Sequence, residues 1–175
     1  MLVYTRFTVT RSTAISSRHR ARPPKSVRLR QARLADIPSL IDLENQSFVS
    51  YYRPHRFTAR DFQWYLTAPE ALLLVAVKRK ILGYISGRTG SPTRSGRIDS
   101  VAVAPQARGK EVGLQLAYGF LQKSKRKGSR SIWLEVGQKN AVAKALFAAT
   151  GFRPYRKLRA YYGKGADALR LRASL

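Results

Sequence analysis

A single hydrophobic core commonly serves about 100 to 200 residues, so a chain of 175 residues with 44% hydrophobic side chains, including 9 Tyr, 7 Phe and 2 Trp, has room for one packed domain. The absence of cysteine excludes a disulfide framework, a zinc-thiolate site and thiol catalysis; two histidines exclude a His-rich metal site, and the longest apolar run, Ala71 to Val77, is far short of the roughly 20 residues that span a bilayer. Charge is the outlying quantity: 34 Lys and Arg against 9 Asp and Glu give a formal net charge of +25, a field that favours polyanions and says nothing about fold.

Residues 1–26 hold Arg6, Arg11, Arg18, Arg20, Arg22 and Lys25, many Ser and Thr and no acid, and close on Pro23-Pro24. They read as a flexible basic tail ahead of a domain spanning 27–175. An organelle transit peptide, a nucleic-acid-binding arm and an over-long start share this composition, whereas a secretory signal would need an apolar core that is missing. The cytoplasm is the expected compartment, with an organelle matrix as the alternative if the tail is cleaved.

From Val27 onward, strand-like and helix-like patterns alternate. Val27 and Leu29 begin a short strand; Asp36 is placed to cap a helix with Ile37 and Pro38 in its first turn and Leu40, Ile41 and Leu43 on its buried side. Phe48 to Pro54 is an aromatic loop, and Thr58 with Asp61 opens a second helix carrying Phe62, Tyr65 and Leu66. Leu72 to Val77 and Ile81 to Gly87 form a hairpin around Lys78-Arg79-Lys80, and Arg97 to Ala104 is a third strand ended by Pro105. A long helix follows from Val112 to Lys127, its basic end suited to the negative pole of the helix dipole. Ser131 to Val136 is a buried-type strand, Asn140 caps a helix with Val142, Ala145, Leu146 and Ala149 as its stripe, and Phe152 to Tyr155 and Ala168 to Ala173 supply two last strands.

One segment has chemistry in its spacing. Val101-Ala102-Val103 leads through Pro105 into Arg108-Gly109-Lys110-Glu111-Val112-Gly113, so a strand, a Gly-bearing turn and a helix start follow one another directly. Unpaired N–H groups of a first helical turn, with the positive end of its dipole, bind phosphate without a charged side chain, although the same turn can also join strand to helix with no ligand. Glu135 is the second feature, a lone acid among Ile132, Trp133, Leu134 and Val136 in a chain poor in acids. Such a residue is poorly explained by packing, which points to function, while a solvated or salt-bridged strand position is the alternative.

The ordered set Arg108-x-x-Glu111-x-Gly113, Trp133-Leu134-Glu135-Val136, Asn140, Ala145-Leu146-Phe147, Gly151-Phe152 and Tyr161-Tyr162 resembles the GNAT acetyltransferase superfamily over nearly everything after Val27. Within it, the run from Trp133 to Leu146 is most similar to the N-terminal acetyltransferases of the ribosomal-protein-alanine type. The resemblance implies a single-domain α/β fold with a mixed, mostly antiparallel central sheet flanked by helices. It also implies acetyl-CoA as co-substrate and no metal. The pyrophosphate would sit on backbone amides of Arg108, Gly109, Lys110, Glu111, Val112 and Gly113, with Leu114 entering the helix. The pantetheine arm would pair like an extra strand with Val101, Ala102 and Val103, and Asn140 and Phe147 would touch the cofactor from the following helix.

By the same resemblance Glu135 is the general base for direct attack of a neutral amine on the thioester. The acceptor is a protein or peptide N-terminus held by Phe48, Tyr51, Tyr161 and Tyr162. An α-ammonium titrates near about 7.7 to 8.0, so such a base need remove only a modestly acidic proton. Two positions depart from the pattern. Glu111 brings a negative charge to the phosphate turn unless it points to solvent, and Phe147 stands where the subgroup commonly has a tyrosine that protonates the leaving thiolate. Tyr118, Tyr161 and Tyr162 are the phenols left for that role. The departures and the charge motivate an alternative, a catalytically decayed RNA- or ribosome-binding module; ribosome or RNA association is equally compatible with an active enzyme. A small-amine acetyltransferase is a further alternative, in which Glu44, Asp61 and Asp99 would offset the repulsive field.

Overall fold

The computed structural model describes the backbone of residues 6–8 and the whole of residues 27–47, 56–90 and 95–175. The strands are β1 (Arg6–Thr8), β2 (Arg28–Gln31), β3 (Ala71–Val77), β4 (Ile81–Arg88), β5 (Ser95–Val103), β6 (Ser131–Gly137), β7 (Arg153–Leu158) and β8 (Ala168–Ser174); the helices are α1 (Ile37–Ser47), α2 (Ala59–Thr67), α3 (Val112–Arg126) and α4 (Ala141–Ala149). They build one sheet in the order β2-β3-β4-β5-β6-β8-β7, with β1 paired to β5 off this path. Among the described residues, only β5 with β6 and β1 with β5 run parallel, so the sheet is mixed and mostly antiparallel, as the resemblance implies. Within the segment read as a flexible tail, the described residues 6–8 thus belong to the sheet.

The apolar run Ala71–Val77 is buried nearly throughout because it lies inside the sheet and is covered on both faces. Along β4 the pleat shows which helix covers which face: the Tyr84 ring meets Phe62 of α2 edge-on, whereas side chains built at Gly83 and Gly87 would run into Leu116 and Phe120 of α3. Helices α1 and α2 therefore cover one face and α3 the other, where it also packs against α4. The parallel step from β5 to β6 is made by α3, the crossover that parallel strands require.

The local signals explain most element ends. Thr58 accepts the Asp61 N–H at 3.3 Å while Asp61 accepts the Thr58 N–H at 2.7 Å, a reciprocal cap on α2, and Asn140 accepts the Ala143 N–H at 3.0 Å at the start of α4. Asp36 differs from expectation. It ends a short 3-10 turn, Leu34–Asp36, and its carboxylate accepts the Arg33 N–H at 2.7 Å and the Arg30 guanidinium at 2.6 and 2.8 Å. That pairing with Arg30 holds the Asp36 carboxyl below the usual carboxylate range. The stripe of α4 is also rotated from the expected one: Ala143, Leu146 and Phe147 are buried while Ala145 and Ala149 are exposed, because alanines carry too little side chain to define a face.

Close approach of α3 to β4 requires glycine at position 87. A Cβ there would lie 2.1 Å from the Arg97 carbonyl oxygen and 2.7 Å from the Phe120 ring. Gly87→Ala is expected to destabilise the fold by about 3 kcal/mol, read as a lower urea midpoint at unchanged slope.

Candidate active site

The site begins at an irregularity in β5. Ser86 of β4 pairs with Ser100 and Gly87 with Ile98, so Asp99 is the extra residue of a bulge, and Asp99 and Ser100 both reach the face covered by α1 and α2. Pairing of β5 with β6 is confined to Ser95–Arg97 against Ser131–Trp133. Beyond it β6 pairs on its far side with β8 and β5 with β4, which leaves a fork between β5 and β6 with Val101, Ala102 and Val103 on one arm and Glu135 on the other. Here lies β1, paired Arg6 to Ser100, Phe7 to Val101 and Thr8 to Ala102.

From the end of β5 the chain passes through the turn Pro105–Ala107 into α3. The guanidinium of Arg108 folds back, donating to the Val103 carbonyl at 3.2 Å. Gly109 and Glu111 both take the left-handed backbone conformation, with φ of 71° and 57°, and this reverses the chain so that α3 starts facing the strand end. The Gln115 N–H reaches the Glu111 carbonyl, so those of Val112, Gly113 and Leu114 precede the first intrahelical bond, and the side chain of Glu111 caps none of them. Glu111 itself is exposed, which turns its charge to solvent. A Cβ at Gly113 would touch Leu146 at 3.4 Å and Val103 at 3.7 Å, ordinary contacts that leave the turn open. A first turn whose N–H groups precede the intrahelical ladder, preceded by Arg108 and Lys110, suits a pyrophosphate.

On the facing strand, Glu135 is 1% exposed and held by two arginines. One oxygen accepts from Arg170 at 2.6 and 2.9 Å and the other from Arg97 at 3.1 Å. Both guanidiniums lie over the Trp133 ring, at 4.7 and 4.8 Å from its centre. Arg97 also pairs with Asp99 at 3.1 Å, joining the two carboxylates across the fork. Asp99 accepts the Tyr65 hydroxyl at 2.9 Å and pairs with Arg88 at 3.3 Å. Burial pushes the Asp99 carboxyl up, against the opposing pull of Arg97 and Arg88, and pushes the Tyr65 phenol far up as well. Nearby, buried Glu44 of α1 accepts the Phe57 N–H at 2.8 Å and the Tyr84 hydroxyl, which also meets Ser100 at 3.0 Å.

The structure thus brings Glu135, Val101, Ala102 and Val103 to one fork, with the turn Arg108–Gly113 immediately after it. Tyr162 joins them, its hydroxyl donating to the Glu135 carbonyl at 3.4 Å and its ring edge-on to Tyr161. Tyr118 sits elsewhere, donating to the Ala149 carbonyl between α3 and α4. Asn140 caps α4 with its carbonyl oxygen, and Phe147 is fully buried against Phe152, their centres 5.2 Å apart. Phe48 and Tyr51 lie outside the described residues. Sequence reasoning passed over Arg97 and Arg170, whose partners are brought together only by the sheet register, and took Asp99 for an accessory acid; no local motif marks a bulge.

The sequence profile of the acetyltransferase (GNAT) family matches residues 37–152. The chain belongs to the GNAT acetyltransferase family. Among its relatives is an N-alpha-acetyltransferase of Sulfurisphaera tokodaii, 30% identical over 167 residues that cover 89% of this chain and 97% of that protein. The fold is shared with the ribosomal-protein-S18-alanine N-acetyltransferase of Escherichia coli (TM-score 0.73, 18% identity, 85% of this chain and 93% of that one). It is shared too with a GNAT superfamily phosphinothricin acetyltransferase of Sinorhizobium meliloti solved with AcCoA (TM-score 0.74, 19% identity, 86% and 89%). The family match spans β5, the turn, α3, β6 and α4, so Glu135, Arg97 and the turn of this GNAT enzyme lie inside the matched region, whereas Tyr161, Tyr162 and Arg170 lie beyond it.

A left-handed glutamate at the start of α3 is costly. Glu111→Gly is expected to raise stability by about 1 kcal/mol by relieving that conformation, measured as an upward shift of the thermal midpoint.

Proposed function

We propose that this GNAT acetyltransferase transfers the acetyl group of acetyl-CoA to the α-amine of a protein or peptide N-terminus. The observation that carries the reading is the fork itself, a strand edge running directly into the first-turn amides of a helix and faced by a buried carboxylate. Relatives named for N-alpha acetylation supply the acceptor class.

In this reading the first-turn amides of Val112, Gly113 and Leu114 hold the pyrophosphate, with Arg108 and Lys110 adding positive potential. The edge at Val101, Ala102 and Val103 aligns the pantetheine arm, and Asn140 and Phe147 border it. Bound acetyl-CoA supplies a thioester carbonyl as electrophile. Glu135 accepts the amine proton through a water at its carboxylate, since guanidinium donors occupy both of its oxygens. Arg97 and Arg170 fix it in direction. Tyr162, next to the Glu135 backbone, is placed to return a proton to the leaving thiolate in the role that Phe147 cannot fill.

Calorimetric titration with acetyl-CoA tests the cofactor half, with saturable binding expected for the chain and none for Gly113→Glu, which puts charge and bulk at the turn. No binding by the unaltered chain would overturn the reading. With acetyl-CoA bound, mass spectrometry of peptides with different first residues tests the acceptor half. Glu135→Gln is expected to lower kcat about a hundredfold or more. An unchanged kcat would remove Glu135 from the mechanism.

The basic surface supports one further step in the same reading, delivery to ribosomal or other RNA-bound substrates. Strand β7 is an outer strand exposing Arg153, Tyr155, Arg156 and Lys157, the tyrosine at 54%. RNA affinity that falls steeply with salt is the expected result, and salt-independent binding would count against it.

A further inference from the structure

We propose that the edge of β5 is a binding slot for this chain's own residues 6–8, and that acetyl-CoA enters by displacing them. The proposal rests on the assignment of Val101 and Ala102 to the pantetheine arm.

The geometry is one of supply and demand for backbone hydrogen bonds. On one side β5 is paired with β4 from Arg97 to Val103; on the other, pairing with β6 ends at Arg97. With residues 6–8 in place, Asp99, Ser100, Val101, Ala102 and Val103 are all buried. A buried strand edge needs a partner. Arg6–Thr8 provides it in parallel register, opposite Ser100, Val101 and Ala102, and touches β6 as well, so the segment lies inside the fork rather than on an outer edge of the sheet. One edge accepts one strand-like partner at a time. Val101 and Ala102 therefore cannot pair with Phe7 and Thr8 and with an extended cofactor arm together.

Two properties make this a reversible occupant rather than a permanent strand. It has three residues, and its recognition is by backbone pairing, the mode by which extended peptides add to open edges. It is also tethered, which keeps it at an effective concentration on the order of millimolar and makes it a competitor at every moment the slot is vacant.

The test uses the full chain beside a Phe7→Pro/Thr8→Pro double variant, since proline has no N–H and is excluded from central strands. Neither residue lies in the Proposed function's machinery. Acetyl-CoA should bind the variant about tenfold more tightly, and in the unaltered chain saturating acetyl-CoA should speed amide hydrogen exchange across residues 6–8. Equal affinities with unaltered exchange, in a chain that does bind acetyl-CoA, would overturn the proposal and leave the cofactor assignment standing. Weaker binding by the variant would also overturn it, making the segment part of the site. Absence of binding by both chains would overturn the cofactor assignment, and this proposal with it.

Discussion

Two parallel strands that start together and then part create the place where chemistry can occur. Had β5 and β6 stayed paired along their length, the edge from Asp99 to Val103 would be consumed by the sheet and Glu135 would be another interior residue. The bulge at Asp99 lies where that pairing has just ended, and it turns two successive side chains to one face. The crossover helix α3 begins beside the end of β5, so its first-turn amides adjoin the same fork. A turn of helical amides, a strand edge released from β6 and a carboxylate thus arise from one divergence rather than from three separate devices.

The scarcity of acids in a chain of +25 sharpens what each one does. Asp36 and Asp61 organise turns at the starts of helices, and Asp167 accepts from the Ala160 N–H at 3.0 Å and pairs with Lys157 at 3.0 Å in the loop that carries Tyr161 and Tyr162. Glu44, Asp99 and Glu135 are buried on the face of the fork covered by α1 and α2. Buried carboxylates are costly unless paired, and here the cost is met by Arg97, Arg170, Arg88, Tyr65 and Tyr84. Two of those guanidiniums, of Arg97 and Arg170, also lie over the Trp133 ring, which helps to hold their heads in place. Positive charge otherwise spread over the surface is gathered into a fixed arrangement at the fork.

Much of this was legible in the sequence because local physics wrote it there. Alternation and apolar runs marked β3, β4, β5 and β6; Thr58, Asp61 and Asn140 marked helix starts, and Gly109 and Gly113 marked the turn. What escaped was non-local. Arg97 and Arg170 meet Glu135 through strand register, two and three elements apart in the chain, and the bulge at Asp99 shows only as a slipped pairing with Ser86 and Gly87. Asp36 misled because an acid before Ile37-Pro38 resembles a cap, while its stronger partner, Arg30, lies in β2. Arg6–Thr8 pairs through its backbone, so no side-chain pattern could announce it.

The two departures from the family pattern fall differently once the site is divided into backbone and side-chain work. Phosphate recognition by helical amides depends on main-chain geometry, so an exposed Glu111 is compatible with it provided the left-handed turn is kept; the residue costs stability before it costs recognition. Proton transfer has no such latitude, because it needs a titratable atom at a fixed place. Phe147 is packed against Phe152 with no group to titrate, so the proposed chemistry must draw its proton from the Tyr162 side of the fork, adjacent to Glu135. Both proton steps then lie on β6 and the loop behind it, while β5 and α3 are left to hold the cofactor.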